Sequence, residues 1–277
     1  MLNCLLVAEI GINHNGDFEI VKKLIDAAYL SGCNFVKFQK RTIDLVYTKE
    51  ELDKYRESPW GTTNREQKEG LELSLDTYCL IDKYCKDKGI GWFASPWDIE
   101  SVDFLMQFDL PFIKIPSALI TNIPLLEKIK TTEVPVIISC GMSNKKEIDN
   151  CLEILGNQVM YILSCTSSYP TPINEMNMSR ILSLKRYYGM RGYKIGFSNH
   201  CSGIPFILQA YLMNCEMIEF HITLNRSMYG TDQSASIEPE GLYKINKYIK
   251  AFKEGWGNYS IGCLPSELPI KEKLRKC

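Results

Sequence analysis

Eight short apolar runs, rich in β-branched residues, recur along this chain of 277 residues, at 5–10, 35–38, 91–94, 112–115, 134–139, 160–165, 194–197 and 217–222. Between them lie segments of helical period, at 20–30, 75–88, 101–108, 145–155, 204–214 and 239–252. Such alternation calls for parallel strands, because each helix carries the chain back before the next strand begins. Eight strand and helix units in about 250 residues match a closed (β/α)8 or TIM barrel. An open doubly wound sheet is the competing α/β architecture, and it normally has a Gly-x-Gly-x-x-Gly turn after its first strand. Gly11-Ile12-Asn13-His14-Asn15-Gly16 lacks that spacing. Polar residues also end nearly every strand, where an open sheet would gather them at one switch point. The expectation is therefore one barrel domain, 1–256, with a tail or linker remnant at 257–277. A long connection at 40–73, rich in charges, reads as a lid or a disordered loop.

Lys plus Arg number 32 against 33 for Asp plus Glu, a net charge of -1. That balance gives no reason to expect nucleic acid or an anionic membrane as partner. The N-terminal stretch has no basic region before its apolar run, and no run is long enough to span a bilayer. The cysteines number 11, an odd count with no Cys-x-x-Cys pair. Free thiols acting as small hydrophobes in a reducing compartment, the cytoplasm, are expected.

In a barrel the C-terminal ends of the strands share one mouth, so what each strand ends with is the inventory of the site. The eight strands carry, in order, Glu9 with Asn13 and His14; Lys37 and Gln39; Ser95; Lys114 and Ser117; Ser139; Ser167 and Tyr169; Ser198, Asn199 and His200; Glu219 and His221. Lys37 and Lys114 stand inside apolar strands, and burying an ammonium without an anion costs several kcal/mol. Either the ammonium escapes to solvent at a strand end, or the two lysines and the nearby serines form a phosphate or carboxylate site. His200 and His221 fall on neighbouring strands and suit a metal with open positions. The alternative is a pair of core imidazoles bonded to backbone. Two protein nitrogens suit an exchangeable Mn²⁺ or Mg²⁺ better than structural zinc. Glu219 precedes His221 by two residues and shares its strand face, and Asp232 lies in a turn where a plain structural role competes.

Taken together, Ala8-Glu9-Ile10-Gly11-Ile12-Asn13-His14-Asn15-Gly16, Val36-Lys37-Phe38-Gln39, Lys114-Ile115-Pro116-Ser117, Ser139-Cys140-Gly141-Met142, Cys165-Thr166-Ser167-Ser168-Tyr169-Pro170, Gly196-Phe197-Ser198-Asn199-His200 and Glu219-Phe220-His221-Ile222-Thr223 resemble the ordered motifs of the N-acetylneuraminate (sialic acid) synthase family. The resemblance implies condensation of phosphoenolpyruvate with an open-chain N-acyl hexosamine, N-acetylmannosamine or a related sugar, phosphorylated or not, to a nine-carbon 2-keto acid and phosphate. It implies that His200 and His221 hold a divalent metal, Mn²⁺ first with Mg²⁺ or Co²⁺ as substitutes. It assigns Lys37, Lys114, Ser95, Ser117, Ser139 and Ser198 to phosphoenolpyruvate and Glu9 to a proton of water or hydroxyl. Gln39 and Asp232 match sugar contacts, and Ser167 and Tyr169 line the site.

The family pattern is broken at Leu119, where many members carry a glutamate that touches sugar. The tail 264–275 resembles the linker to an antifreeze-like domain whose arginine enters a partner's site in fuller members. A homodimer, or a separate antifreeze-like protein, is the partner this implies. Two other readings stay open from the residues: a class I aldolase with Lys114 or Lys37 as Schiff-base lysine, and a barrel that binds sugar or phosphate without turnover.

Overall fold

The computed structural model describes residues 4–257 and 261–275. The chain runs through β1 (Leu5–Gly11), α1 (Phe18–Leu30), β2 (Phe35–Lys40), α2 (Ile43–Val46), α3 (Lys49–Leu52), β3 (Tyr55–Ser58), β4 (Gly61–Thr63), α4 (Asn64–Leu71) and α5 (Leu75–Lys88). It continues through β5 (Gly91–Pro96), α6 (Ile99–Leu105), β6 (Ile113–Ile115), α7 (Ile123–Lys130), β7 (Val136–Ser139), α8 (Lys145–Leu155), β8 (Val159–Ser164) and α9 (Arg180–Tyr187). The last elements are β9 (Lys194–Asn199), α10 (Pro205–Leu212), β10 (Met217–His221), α11 (Pro239–Gly255) and α12 (Leu268–Leu274). Eight strands close into a parallel barrel in the order β1-β10-β9-β8-β7-β6-β5-β2, and β3 pairs antiparallel with β4 outside it. All eight expected strands are present, each within two residues of its expected ends. α7 and α9 are the barrel helices that the sequence reading did not name.

The alternation of side chains along each strand divides the barrel into two cores. Outward residues such as Ala8, Val36, Trp92, Ile113, Ile138, Ile162 and Phe220 pack under the helices. Inward residues Val7, Phe93, Phe112, Ile137, Tyr161, Leu163 and Met217 form a separate apolar plug. Phe35, Phe93 and Phe112 meet edge-on with centroids 5.6–5.8 Å apart, the arrangement that aromatic quadrupoles favour. Gly196 faces this plug without a side chain because a Cβ there would stand 2.4 Å from both Leu163 Cδ2 and the Met217 carbonyl oxygen. The interior is thus filled at its N-terminal end, and the C-terminal end is left for chemistry.

The helices begin where the sequence supplies acceptors. Asp17, Ser74, Asp98 and Asn144 each accept a backbone N–H of the first turn, and Glu147 completes a capping box with Asn144. The connection at 40–73 is ordered: α2, α3, the β3–β4 hairpin and α4 fill it. Trp60 of the hairpin lies edge-on to Tyr229 at 5.7 Å, and Tyr229 Oη donates to the Glu57 carbonyl at 3.4 Å. This ties the segment to the loop after β10. The 10 described cysteines are all free, and burial pushes the thiols of Cys33, Cys140 and Cys215 up to about 12, as expected of inert small hydrophobes. No helix among the described residues is long and apolar enough to cross a membrane. Residues 261–275 are exposed throughout.

Candidate active site

Above the apolar plug, the next inward position on four strands is charged. Glu9 follows Val7, Lys37 follows Phe35, Lys114 follows Phe112 and Glu219 follows Met217. Their exposures are 1%, 4%, 2% and 3%. Lys37 Nζ lies 2.8 Å from Glu9 Oε2 and 3.7 Å from Glu219 Oε1. Lys114 Nζ donates to both Glu219 carboxylate oxygens at 3.1 Å. The lysines do not escape to solvent, and the anion that their burial demands is supplied by the chain itself. Burial pushes the Glu219 carboxyl up, but Lys114 and Lys37 outweigh it and hold it down to about 2. Burial also opposes the Lys37 ammonium, yet Glu219 and Glu9 keep it above its ordinary value. For Lys114 burial wins over Glu219, with Lys37 adding to the effect, and the ammonium sits below its ordinary value.

Hydroxyls and an amide surround this floor, and the mouth above it is a cavity of about 160 Å³. Gln39 Nε2 donates to Glu9 Oε1 at 2.8 Å, and Ser198 Oγ donates to Glu219 Oε1 at 3.1 Å. Lys37 Nζ reaches Ser95 Oγ at 3.5 Å. The Gly141 N–H donates to Ser117 Oγ at 3.0 Å. A Cβ on Gly141 would stand 2.3 Å from Ser167 Oγ and 2.9 Å from Ser117 Oγ, so glycine alone lets the two serines converge. Ser139 Oγ and Ser167 Oγ are buried without a hydrogen-bond partner. Each such orphan costs about 1–3 kcal/mol, a cost that a polar ligand in the mouth would remove.

His200 and His221 face each other across β9 and β10, with ring centroids 5.7 Å apart. His200 Nδ1 donates to the Thr166 carbonyl at 2.7 Å, which leaves Nε2 bare to accept from Tyr169 Oη at 3.0 Å. Burial, reinforced by His221, lowers His200 to about 3, so its ring is neutral, with the Nε2 lone pair turned to Tyr169. His221 Nδ1 is buried without a hydrogen-bond partner, 3.7 Å from Asp232 Oδ2. No group of three or more His, Cys, Asp or Glu suited to a metal exists among the described residues. Two imidazoles at the mouth, His200 and His221, are nitrogen donors of a kind that takes metal ions, and His221 Nδ1 has no partner.

The NeuB family model matches residues 24–260. This chain belongs to the NeuB family. It is 36% identical over 268 residues to the N,N'-diacetyllegionaminic acid synthase of Campylobacter jejuni, spanning 93% of this chain and 79% of that one. It is 32% identical over 277 residues to the N-acetylneuraminate-9-phosphate synthase of Homo sapiens, spanning 99% and 77%. Among solved structures, the N-acetylneuraminic acid synthetase of Leptospira borgpetersenii, in complex with citrate, superposes with a TM-score of 0.82 at 27% identity, covering 99% of this chain and 93% of that one.

Of the site residues expected from sequence, all but Asp232 line the mouth, and Asp232 stands behind His221. Three other strand-end residues turn away from it. Asn13 Nδ2 donates to the Ile222 carbonyl and Ser236 Oγ, both at 2.8 Å, and Asn199 Nδ2 donates to the Cys201 carbonyl at 2.8 Å. His14 Nδ1 accepts the Gly16 N–H at 3.0 Å. At the position where many NeuB relatives are expected to carry glutamate, Leu119 packs on the core and its neighbour Ala118 lines the mouth. Trp97 and Met142 also line it and were missed, because aromatic and thioether side chains at strand ends look like ordinary core. Arg41 was missed as well. It donates to Gln39 Oε1, stacks 4.4 Å over Trp97 and lies 3.6 Å from Glu72. Its signal was available, since Lys37, Gln39 and Arg41 follow a period of two.

Two outcomes follow for stability. Glu219→Leu strands Lys114 in a buried site and is expected to cost about 3–5 kcal/mol in urea unfolding, with Lys114→Met in the same chain recovering most of it. An equally large loss in the double variant would show that packing, not charge, sets the cost. His14 is held down to about 4 from 6.5 by burial. As pH falls from 6.5 toward 4 the unfolded chain takes the proton first, so stability is lost in that window, by roughly 3 kcal/mol for this group. Unfolding measured at pH 7 and pH 5 should separate more for the native chain than for His14→Asn, and equal separations would remove His14 from the acid response.

Proposed function

We propose that this chain joins phosphoenolpyruvate to the open-chain aldehyde of an N-acyl hexosamine, giving a nine-carbon 2-keto sugar acid and inorganic phosphate. The observation that carries this reading is the facing pair of imidazoles, His200 and His221, above a buried Lys–Glu layer, with unpartnered serine oxygens between. Relatives named as legionaminic acid and N-acetylneuraminate-9-phosphate synthases support it. In the reaction, carbon 3 of phosphoenolpyruvate attacks the aldehyde carbon, and the aldehyde oxygen takes up a proton. Water adds at carbon 2, and the carbon to oxygen bond of that centre breaks to leave the ketone and phosphate.

Each group of the mouth has a place in that sequence. Ser139 and Ser167, both lacking partners, donate to the oxygens of the phosphate and carboxylate, together with Ser95, Ser117 and Ser198. Lys37 and Lys114 carry positive charge beneath the centre where oxygens gain negative charge, and Glu9 and Glu219 keep them in place before substrate arrives. Glu9, whose Oε2 lies 2.8 Å from Lys37 Nζ, takes the proton of the entering water in this reading. Gln39 contacts the sugar, Asp232 steadies His221 from 3.7 Å, and Tyr169 packs against both imidazoles. A divalent ion, with Mn²⁺ first and Mg²⁺ or Co²⁺ as substitutes, would be held by His200 and His221 and would polarise the aldehyde carbonyl.

The low-lying Lys114 ammonium favours a second reading, imine formation with pyruvate as in class I aldolases. Against it, the amine must first give up a proton to attack a carbonyl, and both Glu219 oxygens, each 3.1 Å away, hold the protonated form. The test incubates the protein with phosphoenolpyruvate, Mn²⁺ and a series of N-acyl hexosamines, following phosphate release. Release with at least one sugar, abolished in His221→Ala while circular dichroism stays native, is expected. Release that survives His221→Ala, or a borohydride-trapped pyruvate adduct on Lys114, would overturn the proposal.

A further inference from the structure

Trp97 follows β5 and lines the mouth, yet it has no part in the reaction above. Its Nε1–H is buried without a hydrogen-bond partner. An indole nitrogen donates and never accepts, so only an acceptor relieves it, and a buried donor left unmatched is costly. The ring is held where it stands. The Trp97 backbone N–H donates to the Lys40 carbonyl at 3.0 Å, and the Arg41 guanidinium lies 4.4 Å over the indole face. Arg41 is itself anchored, since its backbone N–H donates to Glu72 Oε2 at 3.2 Å and its guanidinium lies 3.6 Å from Glu72 and donates to Gln39 Oε1. Asp98 accepts the Ser101 N–H at 2.8 Å and the Thr42 N–H at 2.7 Å, which ties the backbone on both sides of the stack.

The neighbours of Trp97 narrow the acceptor. Strands β5, β6 and β7 are adjacent in the barrel, and beyond their ends the cavity is lined by Trp97, then Pro116 and Ala118, then Met142. None of these side chains is a strong acceptor. Ser117, on the same wall, already receives the Gly141 N–H at 3.0 Å and lies 3.1 Å from Cys165 Sγ. A sugar hydroxyl that accepted from Trp97 would leave its own proton facing an apolar wall. A carbonyl oxygen has no proton to place, and a methyl group beside it matches the wall. The closed sheet puts this wall in the right place, because β5 and β6 stand four strands round from β9 and β10 and so face the two imidazoles. The acylamino group of the sugar sits on the carbon next to the aldehyde. An aldehyde held at His200 and His221 can turn that group across a cavity of only about 160 Å³ to the opposite wall. We propose that Trp97 Nε1 donates to the carbonyl oxygen of the substrate's N-acyl group, with Pro116, Ala118 and Met142 against its alkyl end, so that Trp97 determines specificity for acylated sugars. The inference rests on the condensation proposed above and names the residue that reads the acyl substituent.

Open-chain sugar alcohols test this without turnover, because they lack the aldehyde. In calorimetric titrations of the full chain with phosphoenolpyruvate and Mn²⁺ present, 2-acetamido-2-deoxymannitol is expected to bind more tightly than mannitol. Trp97→Phe keeps a ring for Arg41 to stack on and removes only the donor, so it should weaken the acetamido compound by about tenfold and leave mannitol and phosphoenolpyruvate unchanged. In the native chain labelled with nitrogen-15, the Trp97 indole N–H signal should move downfield on addition of the acetamido alcohol, a readout that does not depend on the variant folding. An unchanged acetamido affinity in Trp97→Phe, equal weakening of both alcohols, an equal loss of phosphoenolpyruvate binding, no binding of either alcohol to the native chain, or a Trp97 signal that stays in place would overturn the inference. Trp97-dependent binding of the acetamido alcohol, without phosphate release from phosphoenolpyruvate and the matching aldose, would uphold it and overturn the condensation instead.

Discussion

A layer of two ammoniums and two carboxylates closes the barrel's apolar plug, and the arrangement of the mouth depends on it. Replacing such a layer with well-packed aliphatic side chains is commonly neutral or stabilising, because desolvating four charges offsets most of their attraction. A barrel selected for stability alone would carry its plug one position further along β1, β2, β6 and β10. The layer instead sets fixed charges below a water-accessible cavity, with Lys114 centred on both oxygens of Glu219 and Lys37 bridging to Glu9. Each cation is positioned by a carboxylate on another strand, so the electrostatics of the floor are settled before any ligand enters.

Above the floor, the structure leaves chosen atoms without partners. Ser139 Oγ, Ser167 Oγ and His221 Nδ1 are buried and unsatisfied, whereas the neighbouring Ser198, Ser117 and Gln39 are engaged. Ser139, Ser167 and His221 line the same cavity, so one polar ligand there would meet several unsatisfied atoms at once. Gly141 permits the crowding of Ser117 and Ser167, so one missing side chain decides how closely two donors converge.

The ordered segment between β2 and α5 changes what the barrel presents to a substrate. It is pinned to the loop after β10 by Trp60 and Tyr229, and it reaches the floor through Arg41 and Gln39. A long charged connection reads from sequence as a lid or a disordered loop. The capping boxes at Thr48 and Thr63, the hairpin and the contacts of Trp60 give it a fold of its own.

Periodicity and composition alone determined the barrel. The inward and outward faces of its strands are legible because a period of two is local, and the charged positions Glu9, Lys37, Lys114 and Glu219 interrupt apolar strands visibly. The proximity of His200 and His221 was also readable, since consecutive strands of a parallel barrel are neighbours. Tertiary structure alone decided which charges meet: Lys114 and Glu219 are 105 residues apart and pair across the barrel interior, and Asn13 reaches Ile222 across 209 residues to leave the mouth. It also decided that His14 serves a turn and that Leu119 packs against the outer core beneath the helices. The physical reason is closure. Strand periodicity says which side of the sheet a residue faces, but the partner it finds there depends on which strands the curvature of the closed sheet brings opposite one another.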